Sequence, residues 1–243
     1  MTTEKVFGPT FEEMLHPSKI SPDIRKKALS AFDSDPLSRL NLFNITWRDR
    51  ENKVRHVILP DALTGIDAKV CVLIGKGFPT GSHKVGPTYS CTIERQVRGE
   101  IKPGKHRLVW PSTGNFGIGG AYVGERMNYD SLVILPEGMS KERFDKITYY
   151  GAKHIKTPGS ESNVKEIYDK THELEKEPDT VIVNQFADFA NYRFHYYVTG
   201  NSCLELFEEL KTNGVAKRFA GITSSMGSAG TIACGDRIKQ LHP

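Results

Sequence analysis

Lys84 stands in the turn Gly77-Phe-Pro-Thr-Gly-Ser-His-Lys-Val-Gly86, directly after the apolar run Val70 to Ile74. An amine presented by a tight Gly/Ser turn at a strand end can attack a carbonyl once it is deprotonated. A pocket that strips water from it lowers its pKa and helps that step. Two further loops are suited to anions. In Arg107-Leu-Val-Trp-Pro-Ser-Thr-Gly-Asn-Phe-Gly-Ile-Gly-Gly120 a short strand (Leu108 to Trp110) meets a polar turn with Ser112, Thr113 and Asn115. A helix then opens with glycines at 114, 117, 119 and 120, which admit close approach of backbone and ligand. The first N–H groups of a helix lack internal partners and sit at its positive end, so an anion is the natural guest there. The second loop, Gly221-Ile-Thr-Ser-Ser-Met-Gly-Ser-Ala-Gly-Thr-Ile232, reads as another strand, a small-residue turn and a helix. A lysine facing two anion-holding turns predicts a Schiff base with a phosphorylated aldehyde. One loop would then hold the phosphate and the other a substrate carboxylate. Taken singly, each feature has a bland reading: a solvated surface lysine, or an ordinary strand-to-helix connection.

The elements that must position these loops follow the hydrophobic pattern. Ser21-Pro22 supplies an N-cap and a proline at the first helical position, with Ile24, Ala28 and Phe32 at helical spacing. Leu42 to Trp47 and His56 to Leu59 read as short strands around a charged turn, 48–53. From Asp67 onward strands and helices alternate. Strands are expected at 69–74, 108–110, 132–135, 154–156, 180–183 and 219–223. Helices are expected up to Gln96, up to Met127, over 141–150 behind an N-cap Ser140, over 163–176, around Leu204, Phe207 and Leu210, and over 231–241. This alternation predicts an α/β fold with parallel sheets covered on both faces. Ligands of such sheets sit outside the carboxyl ends of the strands, where all three special loops fall. No repeat or linker divides the chain, so a second domain would be intertwined with the first.

Composition sets outer bounds. A hydrophobic share of 38% and a charged share of 26% over 243 residues describe a globular protein with a substantial core. A net charge of +4, with basic and acidic residues interleaved, leaves no nucleic-acid footprint. Cys71, Cys91, Cys203 and Cys234 show no C-x-x-C spacing and read as reduced packing residues of a cytoplasmic protein. No cluster with metal-ligand spacing stands out. The N-terminus shows no apolar leader, and no run is long enough to cross a bilayer.

Gly-Ser-His-Lys84, Ser112-Thr-Gly-Asn115, Asn184-Gln-Phe186 and Gly227-Ser-Ala-Gly-Thr231 occur in an order and spacing that resembles the tryptophan synthase β / cysteine synthase superfamily, the fold type II pyridoxal-phosphate enzymes. Leu135-Pro-Glu-Gly-Met-Ser-Lys-Glu-Arg143, with Tyr150-Gly-Ala-Lys and Thr157-Pro-Gly, looks especially like cysteine synthases. The resemblance runs from about Asp67 to the last residue. It implies two intertwined three-layer α/β domains. The large cofactor-binding domain would take 1–87 and 197–243, and the small substrate-loop domain 88–196. It implies pyridoxal 5′-phosphate as cofactor, bound covalently by Lys84, which would also remove the substrate α-proton. By position, Gly227, Ser228, Ala229, Gly230 and Thr231 would cradle the phosphate, with His83 as a further phosphate contact. Asn115 would bond the cofactor's 3′-oxygen, and Ser112, Thr113 and Gln185 would bind the substrate carboxylate. β-Elimination or β-replacement on a small amino acid is the implied reaction, cysteine synthase-like or cysteine lyase-like, with serine/threonine dehydration behind it. A homodimer is the implied assembly.

Two departures from that pattern stand in the sequence. Cysteine synthases usually carry an acidic residue after the lysine, where Val85 and Gly86 stand here. These enzymes also continue well beyond the phosphate loop, with the partner of the pyridine nitrogen and the rest of the large domain. The sequence given ends at Pro243, so a fragment, a truncated chain or one half of a split enzyme is expected. Outside the enzyme class the alternatives are a non-catalytic scaffold and a Rossmann dinucleotide binder. Gly114, Gly117, Gly119 and Gly120 do not give G-x-G-x-x-G, which disfavours the latter.

Overall fold

The computed structural model of the protein describes residues 7–241. Residues 1–6 and 242–243 lie outside that range. Two strands form the middle of the molecule because their residues are apolar on both faces. β3 (Arg107–Pro111) is buried from Leu108 onward and β4 (Asp130–Pro136) from Ser131 onward. β5 (Lys153–Thr157) pairs with β4, and β6 (Thr180–Ile182) pairs with β3. The resulting four-stranded sheet has the order β5-β4-β3-β6 and is parallel throughout, with Trp110 opposite Val133 and Val109 opposite Ile182.

Helices cover both faces, as continuous apolar strands demand. On one side α7 (Val164–Leu174) lays Ile167 and Leu174 against Val109, Leu132 and Ile134. On the other, α5 (Asn115–Arg126) lies so close to the sheet that glycines are obligatory. A Cβ at Gly120 would fall inside the Trp110 ring, one at Gly124 would strike Ser131 Oγ, and one at Gly117 would sit 2.8 Å from Val133. Gly119 faces the other way, where a Cβ would lie 2.9 Å from Thr88 Oγ1 of α4 (Val85–Val97). These glycines serve helix packing; of those singled out by sequence around this turn, only Gly114 borders open space. The main core joins Trp110, Phe116, Tyr122, Tyr89 and Phe194, all fully buried. Each such aromatic contributes roughly 1.5–3 kcal/mol of burial free energy.

The N-terminal part wraps this core with α1 (Phe11–Leu15), α2 (Pro22–Ser34), β1 (His56–Ile58), α3 (Asp61–Thr64) and β2 (Cys71–Leu73). A reciprocal cap starts α1: Thr10 Oγ1 accepts from Glu13 N at 3.2 Å and the Glu13 carboxylate accepts from Thr10 N at 2.8 Å. Ser21 and Ser140 occupy their expected N-cap positions before α2 and α6 (Lys141–Tyr149) but make no side-chain cap bond. The chain closes with α8 (Phe189–Phe194), a π-helical turn (His195–Gly200), α9 (Asn201–Thr212), a 3₁₀ turn (Gly230–Ile232) and α10 (Ala233–Leu241). All four cysteines are free thiols. Among the described residues no helix is long and apolar enough to cross a membrane.

Three local expectations are corrected. Residues 42–47 are not a strand, because Arg39–Asn44 is a 3₁₀ helix. The buried amides decide this: Asn44 Nδ2 donates to Ala28 O at 2.8 Å and Asn41 Nδ2 to Asp35 O at 2.9 Å, tying the segment to α2 and its end. β2 pairs antiparallel with β1, Val57 opposite Val72, and does not join the parallel sheet. Residues 219–223 form no strand. None of the described strands pairs with them, and residues 220–227 are exposed. The final helix accordingly begins at Ala233, not at Thr231.

Candidate active site

Lys84 is the residue immediately before α4, at the end of the turn that Thr80 and Ser82 brace. Thr80 Oγ1 donates to Ser82 O at 3.2 Å, and Lys84 N donates to Ser82 Oγ at 3.3 Å. The two residues after it are committed to packing. Val85 is fully buried, and a Cβ at Gly86 would enter the Phe194 ring, which accounts for the small residue where cysteine synthases carry an acid nearby. The Lys84 amine donates to Gln185 Oε1 at 3.5 Å and to Ser228 Oγ at 3.3 Å. Both bonds are long and both acceptors are neutral, and no carboxylate pairs with this amine among the described residues. Burial lowers its pKa, with Cys91 opposing weakly. Desolvation without a counter-ion shifts the amine toward its neutral form, the form that reacts with a carbonyl.

Ser228 is the junction of three segments. Its Oγ also accepts from Asn191 Nδ2 at 2.9 Å, and the other Asn191 amide proton goes to Gln185 O at 2.9 Å. With Lys84 and Asn191 on its lone pairs, the Ser228 hydroxyl keeps its own proton to donate. Asn191 is 2% exposed, and its Oδ1 has no partner. Gly230 packs against it, where a Cβ would lie 2.5 Å from Asn191 Oδ1. Ala229 adopts a left-handed conformation at φ 59°, a strained geometry for a residue with a Cβ. Gly227 is exposed with nothing close to it, and Thr231 Oγ1 donates back to Ser225 O at 3.3 Å. Asn191 escaped the sequence reading because it lies in a polar-aromatic stretch with no motif around it.

The other predicted residues fall into two groups. Ser112 is buried, and its hydroxyl accepts from Gly114 N at 3.2 Å, shaping the turn before α5. Thr113 is half-buried, and Asn115 opens α5 with its side chain exposed. No hydrogen bond joins Ser112, Thr113 or Asn115 to Lys84. What links the two turns is α5 itself, since a Cβ at Gly119 would be 3.2 Å from Lys84 O. His83 points into the interior, stacked on Trp47 at 5.7 Å between ring centres and edge-on to His195 at 5.5 Å. Its Nε2 is buried without a partner. His195 Nδ1 lies 3.1 Å from Thr199 Oγ1, which accepts from Trp47 Nε1 at 2.9 Å. Both residues sit on the π-helical turn, a feature the sequence pattern did not show.

Burial, and then the neighbouring Lys84 cation, pull the His83 pKa down to about 4. The unfolded chain, with an ordinary histidine near 6.5, therefore binds the extra proton first as the medium is acidified. The stability tied to a neutral His83 is present above about pH 6.5 and is lost as pH falls toward 4, by at most roughly 3 kcal/mol. Urea unfolding at stepped pH should show this slope, and His83→Gln should flatten it. An equal slope in that variant would mean that His195, lowered for the same reason, dominates.

Residues 75–235 match the family described as "Pyridoxal-phosphate dependent enzyme". The chain belongs to that family. Pyridoxal 5′-phosphate is the family's cofactor, and the fold is that of its fold type II members. A probable cysteine synthase of Bacillus subtilis (strain 168) is 32% identical over 166 residues, 68% of this chain and 51% of the relative. The solved structure of an O-ureido-L-serine synthase matches with a TM-score of 0.64 at 26% identity, over 72% of this chain and 53% of the other. That of a hydrogen sulfide-producing enzyme matches at 0.62 and 28%, over 71% and 51%. This member of the family thus spans about half the length of the relatives it matches.

The residues around Lys84 fit the family's cofactor. An amine without counter-ion, a free Ser228 proton, an orphaned Asn191 oxygen and a glycine with no room for a Cβ converge there. Of these, the amine is what an aldehyde requires and the Ser228 proton is a donor for a phosphate oxygen, whereas the Asn191 oxygen can only accept.

Proposed function

We propose that this chain carries the lysine and the substrate loops of a pyridoxal-phosphate enzyme. The reaction is β-elimination or β-replacement on a small β-substituted or β-hydroxy amino acid, of the kind cysteine synthases and cysteine lyases catalyse. The observation that carries the reading is the half-buried Lys84 amine, without a counter-ion among the described residues, held between Gln185 and Ser228. When bound, the cofactor supplies an electron sink for negative charge developing at the substrate α-carbon. Every other contribution comes from the chain. Lys84 Nζ anchors the cofactor and later takes the α-proton. Residues 227–231 would hold the phosphate, with the Ser228 hydroxyl and the positive end of the helix that follows, and His83, turned inward onto Trp47, would reach it only by leaving that stack. Asn115 orients the cofactor's 3′-oxygen. Ser112, Thr113 and Gln185 receive the substrate carboxylate, with the first N–H groups of α5 adding partial positive charge. In this reading 88–196 is the substrate-loop unit, and 1–87 with 197–243 belong to the cofactor-binding unit of a cytoplasmic homodimer.

The test is a panel of amino acids supplied with pyridoxal phosphate: cysteine, serine, threonine, and O-acetylserine with and without sulfide. Sulfide or pyruvate from cysteine, or cysteine from O-acetylserine and sulfide, is expected above ammonia release from serine or threonine. Dominant ammonia release from threonine would move the assignment to a dehydratase. A protein that gains no visible absorbance with cofactor and turns over none of the panel would leave the scaffold reading in its place.

A further inference from the structure

A cavity of about 350 Å³ lies between α2, the residues that follow the 3₁₀ helix Arg39–Asn44, Arg55 just before β1, and Gly77 at the far end of the Lys84 turn. Its apolar wall is Leu29 and Phe32, and its charged wall includes Arg25, Arg50 and Arg55. Two of these guanidiniums have no counter-ion among the described residues. Arg25 Nη1 donates to the amide oxygen of Asn44 at 3.2 Å, and Arg55 donates only to the carbonyls of Arg48 and Thr46. Arg55 Nε is buried with no partner at all. The other charges of the lining and its rim are paired, except that Asp49 keeps a carboxylate without a cationic partner among the described residues. Arg50 pairs with Asp33, Arg48 with Glu205, and Glu51 lies 3.7 Å from Lys53 Nζ. Asp49 Oδ1 accepts from Lys53 N at 2.8 Å.

The arginines also load one another. Burial brings Arg55 down to about 10, with Asp49 opposing and Arg25 adding to the fall, and Arg25 is lowered by burial and then by Arg50. Like charges gathered around a concave, partly apolar surface favour an anion over water, and guanidinium forks match the planar geometry of oxyanions. We propose that this cavity binds a small oxyanion, a phosphate or a carboxylate on a compact apolar body, between Arg25 and Arg55. A volume of this size suits such a ligand.

The site touches the element that delivers Lys84. A Cβ at Gly77 would collide with the Arg55 guanidinium, which also lies 5.5 Å from the centre of the Phe78 ring. Phe78 packs edge-on to Trp47, and Trp47 stacks on His83, next to Lys84. An anion that holds Arg55 therefore bears on the turn from its far end.

The experiment is thermal unfolding of the full chain, titrated with inorganic phosphate and separately with succinate, against sodium chloride at equal ionic strength. A saturable rise in Tm beyond chloride is expected with at least one of them, and which one responds tells phosphate from carboxylate. Arg25→Gln should weaken the apparent affinity about tenfold or more, the effect of losing a charge-assisted bond. Arg25 is half-buried and makes a single side-chain bond, so this variant keeps its fold where an Arg55 variant would free two carbonyls. Phosphate can also seat at residues 227–231, so the titration is repeated on Gly230→Asp. Saturation kept there and lost in Arg25→Gln supports the cavity. Saturation that Arg25→Gln leaves unchanged overturns it, as does no rise beyond chloride. Loss in both variants counts against it too, since nothing connects Gly230 to this cavity.

Discussion

Lys84→Ala is expected to lose turnover by at least about 10²–10⁴-fold, the range that removal of a positioned general base produces, with more lost if the covalent anchor matters separately. Two chemical duties meet at one nitrogen. The amine must be neutral to bond the cofactor carbonyl, and it must be near the α-carbon to take a proton. Its surroundings serve the first duty directly: burial lowers its pKa, and Gln185 Oε1 and Ser228 Oγ accept hydrogen bonds without fixing a charge. A carboxylate in either place would hold the lysine protonated. The same variant should still be protected by pyridoxal phosphate against heat, because Ser228 and Asn191 remain bonded to each other without the lysine. Borohydride reduction followed by peptide mapping should fix the pyridoxyl group on Lys84 in the wild type and nowhere in the variant. Lys76 is the internal control, an exposed lysine in the 3₁₀ turn Gly75–Gly77 just upstream. An adduct found there would sink the assignment of Lys84.

How much of this was legible in the sequence depends on whether a residue's partner is local. β3 and β4 announce themselves as apolar runs, and α7 shows its face through Ile167 and Leu174, since pattern and packing coincide there. The segment 39–44 looks equally apolar, but its conformation is set by Asn41 and Asn44 bonding to α2 and its end, which no window of neighbours contains. Residues 219–223 have strand character and no strand to pair with, and a ladder takes two. The glycines of α5 were visible, and their reason was misjudged. Positions 117, 120 and 124 recur at helical spacing on one face, which marks contact with the sheet, while ligand approach requires open space of the kind beside Gly114. Within the candidate site, Lys84, Gln185 and Ser228 were picked out by the order of their motifs, and hydrogen bonds join them. Asn191 was not, because its importance is a matter of two bonds and one missing bond, none of them written in residue type.

Gly230→Asp is expected to end the protection that pyridoxal phosphate gives the wild-type protein. A ligand that binds only the folded state stabilises it by about 2.7 kcal/mol when present at a hundredfold over its Kd, so the effect is easily read as a shift in Tm. At Gly230 there is no room for a side chain: the Cβ would sit 2.5 Å from Asn191 Oδ1. Moving Asn191 loosens Ser228 and the Gln185 carbonyl together, because its one amide group holds both. The new carboxylate would also face an oxygen that already lacks a donor, and it would repel an incoming phosphate. Gly227 belongs to the same sequence motif and gives the contrast. A Cβ there meets nothing within 4 Å, so Gly227→Ala should shift stability by no more than about 0.5 kcal/mol and keep the cofactor's protection. The quantity to compare is the gain in Tm on adding cofactor, since Gly230→Asp will lower the starting Tm by crowding alone. If the gain survives in Gly230→Asp, the phosphate sits elsewhere and the loop merely turns the chain. If it disappears equally in Gly227→Ala, the loop closes around the cofactor with both glycines in contact, and the open position of Gly227 describes only the protein without it.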